Sequence, residues 1–177
     1  LTGGFWGVRG SIPSPGADTA LVGGNTACVE VCGGGTRIIL DAGSGLRALG
    51  NEIVAKSPKE PITLLLSHVH WDHIMGLPFF VPIYMKDTQL TIAAQNPVAE
   101  LGQVLASQMR SPLFPVDFQS LPSTLRLEQL PASGRLRVGA LEVRSTTLNH
   151  PDPVLAFRIS YGGRSVVYAT DTEHRPG

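Results

Sequence analysis

This sequence has two cysteines, no excess of either charge and no long apolar run. Lysine and arginine number 14, aspartate and glutamate 14, and charged residues are only 16% of the chain. Without a basic excess there is nothing to draw in a polyanion by bulk electrostatics, so nucleic acid is disfavoured as a partner. There is no acidic tail either. The longest apolar runs are strand-sized, which predicts no transmembrane helix and no membrane partner. No signal-peptide pattern opens the chain, which points to the cytoplasm; it begins at Leu1 without Met, so a few residues are expected to precede it. Cys28 and Cys32 lie four apart in a strand-like segment, too far along an extended backbone for an easy disulfide. A zinc site on them needs two further ligands nearby, and none is adjacent. Buried thiols under a sheet are therefore expected. The 177 residues hold no repeat or low-complexity segment and suit one domain with a sizeable core.

What the chain does have is concentrated in His68-Val69-His70-Trp71-Asp72-His73. Four metal-capable side chains fall within six residues. They follow an apolar run at 62–66 that reads as a short buried strand bounded by Pro58 and Pro61. His68 and His70, two apart, point to the same side of an extended backbone. Asp72 and His73 follow where the chain must turn, ahead of Gly76 and Pro78. A lone histidine is more often a satisfied core or surface residue than a ligand. Three histidines and an aspartate packed this tightly beside a buried strand are costly unless something binds them. Imidazole nitrogen and carboxylate oxygen suit zinc and similar divalent ions.

The rest of the chain supplies strands and a few helices. Strands are predicted at 26–31 and 36–40, joined as a hairpin by Gly33-Gly34-Gly35. A helix should run from Leu46 to Lys56 with Ser44 as its cap. His73 is read as the start of a short helix ended by Pro82. Phe79, Phe80 and Tyr84 read as core packing or as a pocket lining. A strand at 89–93 precedes a helix opened by Asn96-Pro97, with Val98, Leu101, Leu105 and Met109 on one apolar face. Residues 111–123 form a long connection whose Phe114, Pro115 and Phe118 are candidates to cover the metal site. Strands at 140–148, 154–161 and 164–169 follow, the last two forming a hairpin about Gly162-Gly163. Arg9 and Ser11 read either as a wall of the site facing an anionic substrate or as an ordinary turn.

The central segment resembles the H-x-H-x-D-H signature of the metallo-β-lactamase fold superfamily. Its surroundings look like the branch of metal-dependent phosphodiesterases and related hydrolases. The supporting stretches are 6–13, 24–31, 41–47, 149–151 and 168–174, in the family's order. The resemblance implies an α/β (α+β) fold, an αββα sandwich. It implies His68, His70 and His150 on one metal, and Asp72, His73 and Asp171 on a second, with Asp171 bridging. Asp41 is expected beneath the metals as an orienting residue. Two zinc ions are implied, with manganese or iron as alternatives. Asp72 and His174 are the implied catalytic residues. His174 reads equally as a proton donor near the pocket or as an exposed turn residue. The superfamily usually adds a further histidine well after the bridging aspartate. None follows here before Gly177, so the chain is expected to lack the C-terminal part of the domain, the alternatives being a part supplied by another chain or a second site that is natively incomplete. A missing part would leave exposed apolar surface that favours a homodimer or instability.

The implied function is a metal-dependent hydrolase using a metal-bound hydroxide on a small phosphodiester such as a cyclic nucleotide. The alternatives are an ester, thioester or lactone hydrolase, and a non-catalytic metal-binding sensor or interaction domain. A tRNA-processing nuclease is less attractive on charge, and a di-iron redox centre is a minor option.

Overall fold

In the computed structural model, residues 1–56 and 60–173 are described. Two sheets pack face to face, with helices on the outer side of the larger one. That sheet has six strands in the order β1 (Thr2–Gly7), β2 (Cys28–Gly33), β3 (Thr36–Leu40), β4 (Ile62–Leu65), β5 (Gln89–Ala94) and β6 (Thr124–Gln129). β1, β2 and β3 run antiparallel, and β3 to β6 run parallel. Helix α1 (Gly45–Lys56) connects β3 to β4, and α2 (Val98–Gln108) connects β5 to β6. The second sheet holds β7 (Arg135–Val138), β8 (Leu141–Leu148), β9 (Val154–Tyr161) and β10 (Arg164–Tyr168), all antiparallel, in the order β10-β9-β8-β7.

The pleat explains the two cores. Successive side chains of a strand face opposite sides, and central parallel strands are covered on both. Ile39, Leu64 and Ile92 lie in register and face the helices, where Leu46, Leu49, Leu101 and Leu105 meet them. Leu40, Leu65 and Ala93 form the next row and face the second sheet, against Val143, Leu155, Phe157 and Ile159. All of these side chains are buried. Each large aliphatic one contributes about 1.5–3 kcal/mol relative to exposure. Among the described residues there is one helical layer.

Several local expectations give way to tertiary contacts. Ser44 does not cap α1; its hydroxyl donates to Asn25 Oδ1 (3.0 Å) and accepts from the Thr26 N–H (2.9 Å). Asn96 turns its amide to Glu100 (2.7 Å), and Pro97 occupies the cap position of α2. Val98 is exposed, while Leu101, Leu105 and Met109 form the buried face. The segment after His73 is no single helix. It runs through 3-10 turns at Trp71–His73, Leu77–Phe79 and Val81–Tyr84, with Pro82 inside the last. Phe80 is core, and Phe118 is also buried on the helix side rather than covering the metal motif. Cys28 and Cys32 are free thiols, and burial raises the pKa of both.

Candidate metal centre

The six histidines and aspartates singled out in the sequence come together at one edge of the sandwich, where β4, β8 and β10 end. His68 and His70 lie on the extended segment after β4, and Asp72 and His73 on the 3-10 turn that follows. His150 sits on the bend after β8, and Asp171 after β10. Three backbone devices hold these segments. The Leu155 N–H bonds Ser67 C=O (2.9 Å), tying β9 to the motif. The Ala42 N–H bonds His73 C=O (2.7 Å), and the Gly76 N–H bonds Ala42 C=O (2.8 Å). Glu173 N–H to Asn149 C=O (2.7 Å) and the Asn149 amide to Glu173 C=O (2.8 Å) clamp the His150 and Asp171 segments together. The approach of the 41–45 loop to the motif needs glycine: a Cβ on Gly76 would stand 2.0 Å from Gly43 O.

The ligand-capable atoms fall into two groups. One atom each from His68, His70, His150 and Asp171 lies within 4.8 Å of the others, as do atoms of Asp72, His73 and Asp171. Asp171 belongs to both. Its Oδ2 stands 3.6 Å from His68 Nε2 and 3.1 Å from His73 Nε2. Asp171 holds a positive φ of 45°, and Thr170 donates to its Oδ1 (2.8 Å). Burial alone would raise its pKa, but the Thr170 hydroxyl and the nearby His73 and His68 hold it below the usual carboxylate value.

Hydrogen bonds set which imidazole nitrogens are available. Asp41 is fully buried at φ 61° and accepts four bonds: Ser67 N–H (2.7 Å), Ser67 Oγ–H (2.8 Å), His73 Nδ1 (2.8 Å) and Tyr168 O–H (2.6 Å). Ser67 gives its proton to Asp41, so its oxygen accepts from His68 Nδ1 (3.0 Å). That leaves the lone pair of His68 Nε2 uncommitted. This atom is buried and has no hydrogen-bond partner among the described residues. Burial first, then the charge of His73, lowers the His68 pKa to about 4 and keeps the ring neutral. His150 likewise donates from Nδ1 to Asp152 C=O (3.0 Å), freeing its Nε2. His73 differs: burial lowers its pKa, but the hydrogen bond and charge of Asp41, with Asp72 and Asp171, outweigh that and raise it. An Nδ1 anchored on a carboxylate, with Nε2 facing Asp171 Oδ2 at 3.1 Å, is the arrangement that orients a metal-binding histidine.

A divalent cation fits this site. The donors are imidazole nitrogens and carboxylate oxygens, and the buried His68 Nε2, without a hydrogen-bond partner among the described residues, stands 3.6 Å from the shared carboxylate. Asp41 stands behind His73 and Ser67, where an orienting residue belongs.

Sequence reasoning assigned no role to three groups. Asp152 Oδ2 pairs with His70 Nε2 at 2.8 Å, 82 residues apart. Tyr168 reaches Asp41 from the other sheet, 127 residues away, and Ser67 relays between Asp41 and His68. Only the position of Asp152, two residues after His150, was a usable signal. The Ser11 N–H donates to Asp72 Oδ2 (2.9 Å), so the 9–11 turn is a wall of the site. Arg9 lines an adjacent cavity of about 320 Å³ with His73, Tyr168 and Asp171. His174 lies outside the described residues. Among the described residues no helix is long and apolar enough to cross a membrane.

Comparison with known proteins agrees with this architecture. No curated protein matches the sequence. The metallo-beta-lactamase fold protein YhfI from Bacillus subtilis superposes with a TM-score of 0.69 at 20% identity, over 98% of this chain and 63% of YhfI. The short form of human tRNase Z gives 0.60 at 17% identity, over 96% of this chain and 68% of that one. A diphosphatase of the PhnP family gives 0.55 at 15% identity, over 76% and 49%. These likenesses establish the fold, and the chain spans less than two thirds of YhfI. The model of the beta-lactamase superfamily domain matches residues 36–177, from β3 through every histidine and aspartate of the centre, and the chain belongs to that family.

Proposed function

We propose that this chain carries the metal centre of a hydrolase that cleaves small phosphodiesters. The observation that supports the reading best is the pair of donor groups sharing Asp171, with the buried His68 Nε2, unpartnered among the described residues, beside it. Two divalent ions bound there would supply an activated water at neutral pH and offset charge on the substrate oxygens. His68, His70, His150 and Asp171 would hold one ion, and Asp72, His73 and Asp171 the other. Asp41 holds the His73 ring and, through Ser67, the His68 ring. Arg9, on the cavity that includes His73 and Asp171, offers a cation to an anionic ester. Among the neighbours in fold, a tRNase and a diphosphatase are in keeping with phosphorus and metallo-beta-lactamases with carbon, so kinetics must choose between the two.

The test is side-by-side kinetics on an aryl phosphodiester and an aryl carboxylic ester, with zinc or manganese added to chelator-treated protein. The expected result is metal-dependent turnover of the phosphodiester, lost by at least a hundredfold in His70→Ala. Faster turnover of the carboxylic ester would move the activity to carbon. Metal uptake without turnover of either would leave a binding domain.

A further inference from the structure

A second cavity, of about 280 Å³, opens beside the metal motif and is lined by Pro13, Ser44, Arg47, Trp71, Met75 and Phe79. Its aromatic residues are conspicuously outside: Trp71 is 67% exposed and Phe79 55%, while their neighbours Ile74, Leu77 and Phe80 are buried. Exposing two large rings on one concave surface costs apolar hydration unless something covers them. Phe79 is braced edge-to-face by Phe114, with ring centroids 5.7 Å apart and planes at 87°. Two of its lining residues adjoin the metal centre along the chain. Trp71 sits in the chain between His70 and Asp72. Pro13 lies two residues beyond Ser11, whose N–H holds Asp72. Arg47, exposed on the first turn of α1, has no ion pair among the described residues.

We infer that this cavity is a subsite for a planar aromatic group of the substrate, an aryl ring or a base, whose ester phosphate lies at the metal centre. The inference rests on the phosphodiester reading above and names the substrate class. Trp71 and Phe79 supply π faces and edges. Arg47 at the rim adds a cation for the ring face or for a polar substituent on it.

The test is calorimetric titration of the zinc-loaded protein with phenyl phosphate and methyl phosphate. Tryptophan fluorescence is followed in parallel. Phenyl phosphate should bind roughly tenfold more tightly, the size of one base–aromatic stack, and should quench the fluorescence. Trp71→Ala should bring the ratio toward one, with Phe79→Ala intermediate. In Trp71→Phe, where Trp6 is the remaining indole, the quenching should vanish. A tenfold ratio that survives both alanine variants overturns the assignment. So does a wild-type ratio near one together with a dimer that Trp71→Ala dissolves, because the aromatic face would then be a contact between copies. If neither ester binds, 4-nitrophenol separates the two readings. Trp71-dependent quenching keeps the aromatic subsite and rejects the phosphate reading, and its absence rejects both.

Discussion

At the scale of single residues, the centre is organised from behind by Asp41. A carboxylate with no exposure and four donors is stable only while every donor stays in place. Asp41→Ala leaves Ser67, His73 and Tyr168 facing an emptied position. We predict a loss of about 3 kcal/mol in urea unfolding, the scale of breaking hydrogen bonds to a buried charge. Zinc affinity should fall about 10- to 100-fold, as when a partner that orients a ligand is removed. Tyr168→Phe removes one donor and should cost about 1–2 kcal/mol. Equal losses in the two variants would mean that the bonds from Ser67 and His73 to the Asp41 carboxylate add nothing beyond the one from Tyr168.

At the scale of elements, the second sheet carries an unusual outer face. Arg135, Arg144 and Arg158 are direct cross-strand neighbours on β7, β8 and β9, all exposed and outside any ion pair among the described residues. Like charges opposite one another weaken a sheet. Arg144→Glu places an acid between two arginines and should stabilise the protein by about 0.5–1 kcal/mol in low salt. The gain should shrink as salt rises. An unchanged thermal midpoint in both salts would show that the row is already screened. The strands themselves were legible because their patterns are local: Ile38–Leu40 and Leu64–Leu66 are apolar without a break, as strands covered on both faces must be. The clustering of His68, His70, Asp72 and His73 within six residues made the centre legible too. What escaped was decided across the fold. Ser44 has the side chain of a cap, yet it bonds Asn25 and Thr26 nineteen and eighteen residues away, while Asn96 turns to Glu100 on the first turn of α2 and leaves the cap position to Pro97. The path from Trp71 to Tyr84 follows the backbone contacts of Gly76 and Ala42, which no periodicity encodes. Asp152 and Tyr168 reach their partners over 82 and 127 residues.

At the scale of the whole molecule, the two sheets and the helical layer serve to bring three strand ends to one edge. β4 delivers the motif, β8 delivers His150 and β10 delivers Asp171, and Asp171 alone belongs to both donor groups. We propose that this edge would hold two divalent ions, with Asp171 offered to both. Elemental analysis after equilibration with zinc and dialysis tests it most directly, in the wild-type protein and in Asp171→Ala. Two ions per chain are expected, with the four-donor group retaining its ion at lower free zinc than the three-donor group. Asp171→Ala should weaken both sites. One ion per chain, or two that persist unchanged in Asp171→Ala, would contradict it.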